Sequence, residues 1–245
     1  MGLCLPIGGN GDKNKIMLIP TILTDDFDLL KKDLAFLKGK VDRVQIDIVD
    51  GRFADNKTIA VDQLMGLVDI EEDNLLFDLH LMVDDPVCYL EKSLPAATDF
   101  IIGQIEQMES EVEFCRQARE QGLRPGLALD LETPISQLKL QALDLCEQVL
   151  VLGVRAGYSG QKFDPRSLEK IRKLAEWRKK ERWDFTIGVD GGLNKKTISQ
   201  CQRAGGEIFY VGGAIWKAKD PEREISNLKN QISNLKTTTQ KSKIK

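Results

Sequence analysis

Short apolar runs rich in Val, Ile and Leu alternate with longer polar segments from Met17 onward, and the longer segments carry apolar residues at helical spacing. This alternation is typical of repeated strand–helix units around a parallel β-sheet. Eight such units in a chain of 245 residues predict one (β/α)8 TIM barrel, an α/β fold, with a doubly wound open sheet as the alternative. The predicted strands are residues 17–23, 43–47, 75–81, 99–105, 125–131, 148–154, 186–190 and 208–211.

The helical patterns between the strands are clearest over residues 109–121 and 165–180. We expect the barrel domain to span residues 17–236, after a loose N-terminal extension at 1–16 and before a disordered, lysine-rich tail at 237–245. A repeated Ile-Ser-Asn-Leu-Lys segment just before this tail places its apolar residues on one helical stripe. Two heptads are too few to predict a coiled coil, so we interpret the segment as the last barrel helix.

The charge balance of the chain excludes several classes of partner. Thirty-five basic and thirty-eight acidic residues give a formal charge of −3, so the chain offers no basic field to nucleic acid or to anionic lipid. Its apolar runs are far shorter than the roughly 20 residues that span a bilayer. We therefore expect no nucleic-acid partner and no membrane insertion, and any anionic ligand must be held by a local site.

The cysteines indicate a reducing compartment. Five cysteines lie scattered through the chain without a close pair, which argues against a disulfide framework and against a thiolate zinc site. The first residues have neither the basic start nor the apolar segment of a secretion signal. These features predict a cytoplasmic protein, and they leave its oligomeric state open, a homo-oligomer included.

Polar side chains end three of the predicted strands. Gln45 and Asp47 lie two residues apart on the second strand and therefore point to one face, while His80 and Asp190 end the third and the seventh strands. Two carboxylates, one imidazole and one amide oxygen at one rim can ligate a divalent metal. His80 taken alone is more simply explained as a hydrogen-bonded structural histidine. It is the only histidine in the chain, which excludes a site with several imidazole ligands.

Glycine clusters follow the last three predicted strands. They are Gly157-Tyr158-Ser159-Gly160, Gly191-Gly192 and Gly212-Gly213. Glycine lets backbone N–H groups approach an anion closely, and loops after the late strands of a barrel commonly bind phosphate. Tight turns with positive φ are the alternative explanation, but three consecutive clusters favour a phosphate site. We expect valine at Gly191 or Gly212 to fill the phosphate volume and to weaken binding far more than it lowers stability.

Several segments, in order along residues 17–221, resemble the ribulose-phosphate 3-epimerase family of ribulose-phosphate-binding barrels. They are Ile19-Pro-Thr-Ile-Leu-Thr-Asp-Asp-Phe27, Gln45-Ile-Asp-Ile-Val-Asp-Gly-Arg-Phe53, Asp78-Leu-His-Leu-Met82, Gly157-Tyr-Ser-Gly-Gln-Lys-Phe163, Val189-Asp-Gly-Gly-Leu193 and Gly212-Gly-Ala214. Together they form a far more specific signal than any single glycine pair.

The resemblance implies an isomerase of carbohydrate metabolism, in the pentose phosphate pathway, that acts on a small phosphosugar. It implies that Asp47 and Asp190 are the catalytic acid and base, and that both bind a divalent cation (Zn, Mn, Mg or Fe) together with His80. It also implies substrate contacts from Thr21, His80 and Met82, and phosphate contacts from Gly157, Tyr158, Ser159, Gly160, Gly191, Gly192, Gly212 and Gly213.

The chain departs from the family pattern at several of these positions. Gln45 stands where the family has the first histidine of its His-X-Asp strand, and we retain it as a metal ligand through its amide oxygen. This exchange is expected to weaken zinc binding and to shift the preference toward magnesium or manganese. The other departures are Thr21 for serine, Gln104 for the histidine of the fourth strand, Arg155-Ala156 for Asn-Pro, and Gly213 for serine.

Three hypotheses follow for the function. The first is an enzyme that epimerises a ketopentose phosphate such as ribulose 5-phosphate at C3, through an enediolate and with two carboxylates. The second is a non-catalytic phosphosugar-binding barrel whose metal site has decayed. The third is a related barrel enzyme acting on another sugar phosphate, such as a decarboxylase, but the Asp-X-Lys-X-X-Asp stretch expected of such an enzyme is not found after Asp47.

Overall fold

A computed structural model describes residues 16–67, 75–92, 94 and 97–242 of the chain. Its eight parallel strands form a closed barrel in the order β1 to β8, and β8 pairs with β1. The strands are β1 (Met17–Ile22), β2 (Arg43–Val49), β3 (Leu76–Met82), β4 (Thr98–Gln104), β5 (Arg124–Leu129), β6 (Gln148–Leu152), β7 (Thr186–Asp190) and β8 (Ile208–Val211). The predicted TIM barrel is confirmed, and the pairing of β8 with β1 excludes an open sheet.

Helices follow the strands and cover the outside of the barrel. They are α1 (Phe27–Leu37), α2 (Val87–Leu90), α3 (Glu111–Glu120), α4 (Leu140–Leu143), α5 (Ser167–Glu181), α6 (Lys195–Ala204), α7 (Gly213–Trp216) and α8 (Pro221–Ser242), with 3₁₀ turns at Val61–Leu67, Ile105–Gln107 and Ile135–Gln137. Side chains fix the starts of several helices. The Asp26 carboxylate accepts the backbone N–H groups of Asp28 and Leu29 at the start of α1. Among the helices of the described chain, none is long and apolar enough to cross a membrane.

The ends of the chain differ in part from the expectation. The N-terminal extension expected at 1–16 lies outside the described residues, apart from residue 16. At the other end, α8 continues to Ser242 and so includes residues 237–242 of the segment expected to be a disordered tail. Adding a residue to an existing helix costs far less than starting one, which explains how a polar segment extends the last helix. Residues 243–245 lie outside the described part.

The barrel interior is built in layers because alternate residues of each strand point inward. The register pairs Gln45 of β2 with Asp78 of β3, and Asp47 with His80 one step higher. The lower layer is a buried ionic network. Arg43 contacts Asp78 at 2.8 Å and Asp99 at 2.5 Å, and the Tyr210 hydroxyl donates to Asp78 at 3.0 Å. This network fills the barrel below the layer that carries Asp47 and His80.

Candidate active site

Asp47, His80 and Asp190 meet at the carboxyl-terminal end of the barrel. The Nδ1 atom of His80 lies 3.0 Å from Oδ1 of Asp47, and donor atoms of all three side chains lie within 4.8 Å of one another. All three residues are buried. Asp47 and His80 are register partners on adjacent strands, whereas Asp190 reaches the same point from the end of β7. The convergence expected from the strand ends is therefore present in the structure.

Gln45 joins the two carboxylates through its amide nitrogen. Its Nε2 lies 3.0 Å from Oδ1 of Asp47, 2.8 Å from Oδ2 of Asp190 and 3.1 Å from the Thr21 hydroxyl. The amide oxygen of Gln45 is buried and has no hydrogen-bond partner. In this orientation Gln45 is a hydrogen-bond donor to the carboxylates. Its predicted role as an oxygen ligand requires a half-turn of the amide, which would bring the unpartnered oxygen to the carboxylate side.

The environment of Asp190 favours its protonated form. Burial and the neighbouring charge of Asp47 raise the pKa of Asp190 to about 7, while His80 and hydrogen bonds from Gln45 and the Gly191 backbone act against this shift. A carboxyl group with a pKa near neutrality can both give and accept a proton at physiological pH. The carboxylate pair thus has the electrostatic character that acid–base chemistry requires.

A cavity of about 470 Å³ opens above these side chains. Its lining includes Asp47, His80, Asp190, Thr21 and Met82, and also all eight residues of the three glycine clusters. Thr21 donates its hydroxyl hydrogen to Oδ2 of Asp47 at 2.8 Å, and the sulfur of Met82 accepts the Gly157 N–H at 3.1 Å. The structure therefore brings every predicted site residue into or directly beneath one cavity, with Gln45 beneath its floor.

The positions of the glycine clusters differ in whether the fold itself requires glycine there. Gly192 has φ +67°, and a Cβ there would lie 2.3 Å from the backbone nitrogen of Phe163, so the turn itself requires glycine. At Gly191, a Cβ would lie 2.5 Å from Val154, so a larger side chain there disturbs the fold as well as the cavity. Gly213 is the opposite case, because nothing lies within 4 Å of a Cβ at that position. The expectation that valine at Gly191 would chiefly affect binding is therefore not supported by the packing.

Gly213 offers the cleaner test of a phosphate site. We expect Gly213→Val to raise the KM for a phosphosugar by roughly tenfold, equivalent to about 1.4 kcal/mol, while kcat and Tm change little. The reason is that Gly213 lines the cavity and nothing lies within 4 Å of a Cβ there, so the added side chain takes up cavity space. Steady-state kinetics and thermal unfolding measure the two effects. Gly191→Val, the control, is expected to lower Tm, and an unchanged KM for Gly213→Val would argue against phosphate at this loop.

Two features of the site were not predicted from the sequence. Lys217 lines the cavity, and its Nζ lies 3.1 Å from where a Cβ of Gly160 would be. Its place one helical turn after Gly213 is the signal that points to it. The second feature is Glu106, whose Oε2 accepts from the amide of buried Gln104 at 2.7 Å, while the oxygen of the same amide lies 3.2 Å from Nε2 of His80. Asp50, another strand-end carboxylate, instead accepts backbone N–H groups of its own loop.

A closed (β/α)8 barrel with paired buried carboxylates beneath a glycine-walled cavity is typical of a TIM-barrel enzyme. Residues 17–216 match the family model described as the ribulose-phosphate 3 epimerase family. The chain belongs to this family, whose members are isomerases that act on carbohydrates. The resemblance inferred from the sequence motifs is thereby confirmed.

Relatives from two organisms match most of the chain. The ribulose-phosphate 3-epimerase of Aquifex aeolicus (strain VF5) is 31% identical over 215 residues, which cover 87% of this chain and 96% of the relative. The enzyme of the same name from Synechocystis sp. (strain ATCC 27184 / PCC 6803 / Kazusa) is 32% identical over 222 residues, covering 88% of this chain and 94% of the relative. The match therefore extends over the barrel and is not confined to its motifs.

Solved structures support the fold. A crystal structure of KGPDC from Streptococcus mutans superposes with a TM-score of 0.68 at 17% identity, covering 89% of this chain and 97% of that one. A 3-hexulose-6-phosphate synthase superposes with a TM-score of 0.61, also at 17% identity, covering 89% and 99%. At such low identity the likeness shows the shared barrel architecture alone.

Proposed function

We propose that this protein inverts the configuration at C3 of a ketopentose phosphate, converting D-ribulose 5-phosphate to D-xylulose 5-phosphate. The observation that carries the proposal is the pair of buried carboxylates, Asp47 and Asp190, at the floor of a cavity walled by three glycine loops. The two carboxylates extend from β2 and β7, which are not neighbours in the barrel. A substrate held between them would expose opposite faces of its C3 carbon to the two groups.

The chemistry of inversion assigns a role to each carboxylate. One takes the C3 proton, which lies next to the carbonyl group, and the electron pair moves into an enediolate. The other gives a proton to the opposite face of C3, and the two exchange roles in the reverse direction. The raised pKa of Asp190 suits this cycle, because one member of the pair must carry a proton when the substrate binds. Proton transfer of this kind contributes about 10²- to 10⁴-fold to a rate.

The phosphate group of the substrate is assigned to the glycine loops. Their backbones can bring N–H groups close to an anion, and Gly213, the first residue of α7, has nothing within 4 Å of a Cβ position. Lys217 adds a positive charge beside Gly160. A local cradle of this kind suits a chain with a formal charge of −3, which attracts no anion through its overall field.

The same residues fit a divalent cation. Asp47, His80 and Asp190 supply two carboxylates and one imidazole within reach of one another, and the unpartnered oxygen of Gln45 is a fourth donor. We propose that these four residues hold the cation, with Gln45 turning its amide to do so. When bound, such a cation stabilises the negative charge that develops on the substrate oxygens. Zn, Mn, Mg and Fe all accept these ligand types.

The proposed location follows from the thiols and the substrate. Cys88, Cys115, Cys146 and Cys201 are free cysteines in the described chain, which suits a reducing compartment. The charge of a sugar phosphate also prevents its passive passage across a bilayer, so such a substrate stays inside the cell. We therefore retain the cytoplasm as the proposed location, and a phosphosugar as the proposed ligand.

Incubation with D-ribulose 5-phosphate in deuterium oxide tests the reaction directly. Magnesium, manganese or zinc is added in turn, and NMR follows deuterium at C3 and the appearance of D-xylulose 5-phosphate. We expect both signals with at least one cation. Binding of the sugar phosphate without exchange or conversion under any of the conditions would favour the non-catalytic phosphosugar-binding barrel instead.

A further inference from the structure

We propose that Gln104, oriented by Glu106, is a positioning residue that keeps a hydrogen on Nε2 of His80 and so turns the lone pair of Nδ1 toward the carboxylates. This inference rests on the proposed function and deepens it, because it concerns which ring nitrogen His80 presents to the proposed cation. It involves the second of the two positions at which this chain has glutamine where the family pattern has histidine.

The surroundings of Gln104 accept only one orientation of its amide. When the amide nitrogen of Gln104 is directed away from His80, it donates to Oε2 of Glu106 at 2.7 Å and to the backbone oxygen of Ala128 at 3.2 Å. The amide oxygen then lies 3.2 Å from Nε2 of His80. The opposite orientation would place the amide oxygen against two other acceptors, so we assign the first. Gln104 is fully buried, and water cannot replace these partners.

Glu106 is itself held in place. Its Oε1 atom accepts the backbone N–H of Asp130 at 2.7 Å, which leaves Oε2 for the amide of Gln104. The series of hydrogen bonds therefore runs from the backbone N–H of Asp130 to the carboxylate of Glu106, then to the amide of Gln104 and finally to the imidazole of His80. Each link has a fixed donor and a fixed acceptor except the ring, whose hydrogen is the one that can move.

An amide oxygen can only accept, so Nε2 of His80 must carry the hydrogen that lies between them. Nδ1 also faces an acceptor, Oδ1 of Asp47, but that oxygen already accepts from Nε2 of Gln45, whereas the amide oxygen of Gln104 accepts only from Nε2 of His80 among the described residues. The single N–H of a neutral imidazole therefore satisfies more buried groups on Nε2, and Nδ1 then has the lone pair. Nδ1 lies 3.0 Å from Oδ1 of Asp47, and both atoms can then share one cation. Metal-binding histidines commonly donate their other N–H to such a partner, and loss of the partner typically lowers metal affinity by about 10- to 100-fold.

His80 is the only histidine in the chain, so the state of its ring can be measured directly. Protein made without a histidine tag and labelled with ¹⁵N-histidine gives one pair of imidazole signals. Spectra are recorded without added metal, in alkaline buffer where imidazole is neutral. We expect the hydrogen on Nε2 in the wild type. In Gln104→Met we expect it on Nδ1, where the Asp47 carboxylate accepts it.

Two further variants separate positioning from general destabilisation. Gln148→Met removes another buried barrel amide, which bonds the Tyr210 hydroxyl and not His80, and it is expected to leave the hydrogen on Nε2. Gln104→Glu keeps an acceptor beside Nε2 and is expected to behave like the wild type. Zinc affinity, measured by competition with a chelator, is expected to fall about 10- to 100-fold in Gln104→Met only.

The proposal is overturned if wild-type His80 carries no hydrogen on Nε2, a result that needs no variant. It is also overturned if Gln104→Met keeps that hydrogen, if Gln148→Met or Gln104→Glu loses it, or if zinc affinity in Gln104→Met is unchanged. These readouts do not depend on turnover. A protein that shows the expected ring signals but no C3 exchange would contradict the proposed epimerase activity and leave the role of Gln104 supported.

Discussion

Asp47→Asn and Asp190→Asn are each expected to lower the rate of C3 epimerisation by about 10²- to 10⁴-fold, because each removes one of the two groups that exchange a proton with the substrate. Asparagine has nearly the same shape as aspartate, so the barrel should remain folded. Conversion of D-ribulose 5-phosphate and thermal unfolding measure the two properties. Near wild-type turnover by either folded variant would remove that carboxylate from the mechanism.

Hydrogen exchange can also show which carboxylate serves which face. If the two groups act on opposite faces of C3, each variant keeps one group that can still remove a proton from one epimer. Asp47→Asn and Asp190→Asn should then incorporate deuterium into different epimers in deuterium oxide, while neither interconverts them. Asp84→Asn provides the control, since Asp84 is an exposed carboxylate on the loop after β3 that pairs with Arg52. If both active-site variants exchange deuterium into the same epimer, the two carboxylates do not act on opposite faces of C3.

Gln45→His is expected to raise zinc affinity by at least about tenfold and to increase the rate measured with zinc. The amide of Gln45 touches both carboxylates, so an imidazole at this position adds a nitrogen ligand where the metal is expected. Loss of an outer partner of a metal ligand already changes affinity by about 10- to 100-fold, and a direct ligand should matter at least as much. Calorimetric titration with zinc and activity assays measure the two effects.

The control for this substitution is Gln45→Met, which keeps the length of the side chain but has neither amide atom. It is expected to bind zinc no more tightly than the wild type. If Gln45→His restores zinc binding without turnover, the barrel binds phosphosugar without catalysis. If Gln45→His leaves zinc affinity unchanged, then residue 45 does not lie at a ligand position, and the proposed set of four ligands is wrong.

The barrel and the location of its site could be predicted because both depend on local patterns. All eight strands lie where the apolar runs predict them, and strand ends of a closed barrel necessarily meet at one rim. Asp47 and His80 were expected to converge because they end neighbouring strands, and the observed register pairs them directly. The length of α8 was less predictable, since its polar final turns carry no apolar pattern that distinguishes helix from tail.

The orientation of the amides could not be predicted from the sequence. Gln45 was expected to present its oxygen to a metal, whereas in the structure its nitrogen donates to Asp47 and Asp190. Which atom an amide presents depends on all its neighbours in three dimensions, and those neighbours come from several strands. The same holds for Gln104, whose orientation depends on Glu106 and on a backbone oxygen of β5. Sequence patterns fix the faces of strands, but they do not encode these contacts.

The site is divided between strands that are not neighbours, so the proposed activity requires the barrel to be closed. Gln45, Asp47 and His80 belong to the first half of the barrel, while Asp190 and the glycine loops belong to the second. Neither half alone contains both partners of the proposed proton exchange. During unfolding in denaturant, turnover should therefore vanish as soon as the ring opens anywhere, even where helices survive. For this fold, catalysis would serve as a probe of cooperativity between the halves.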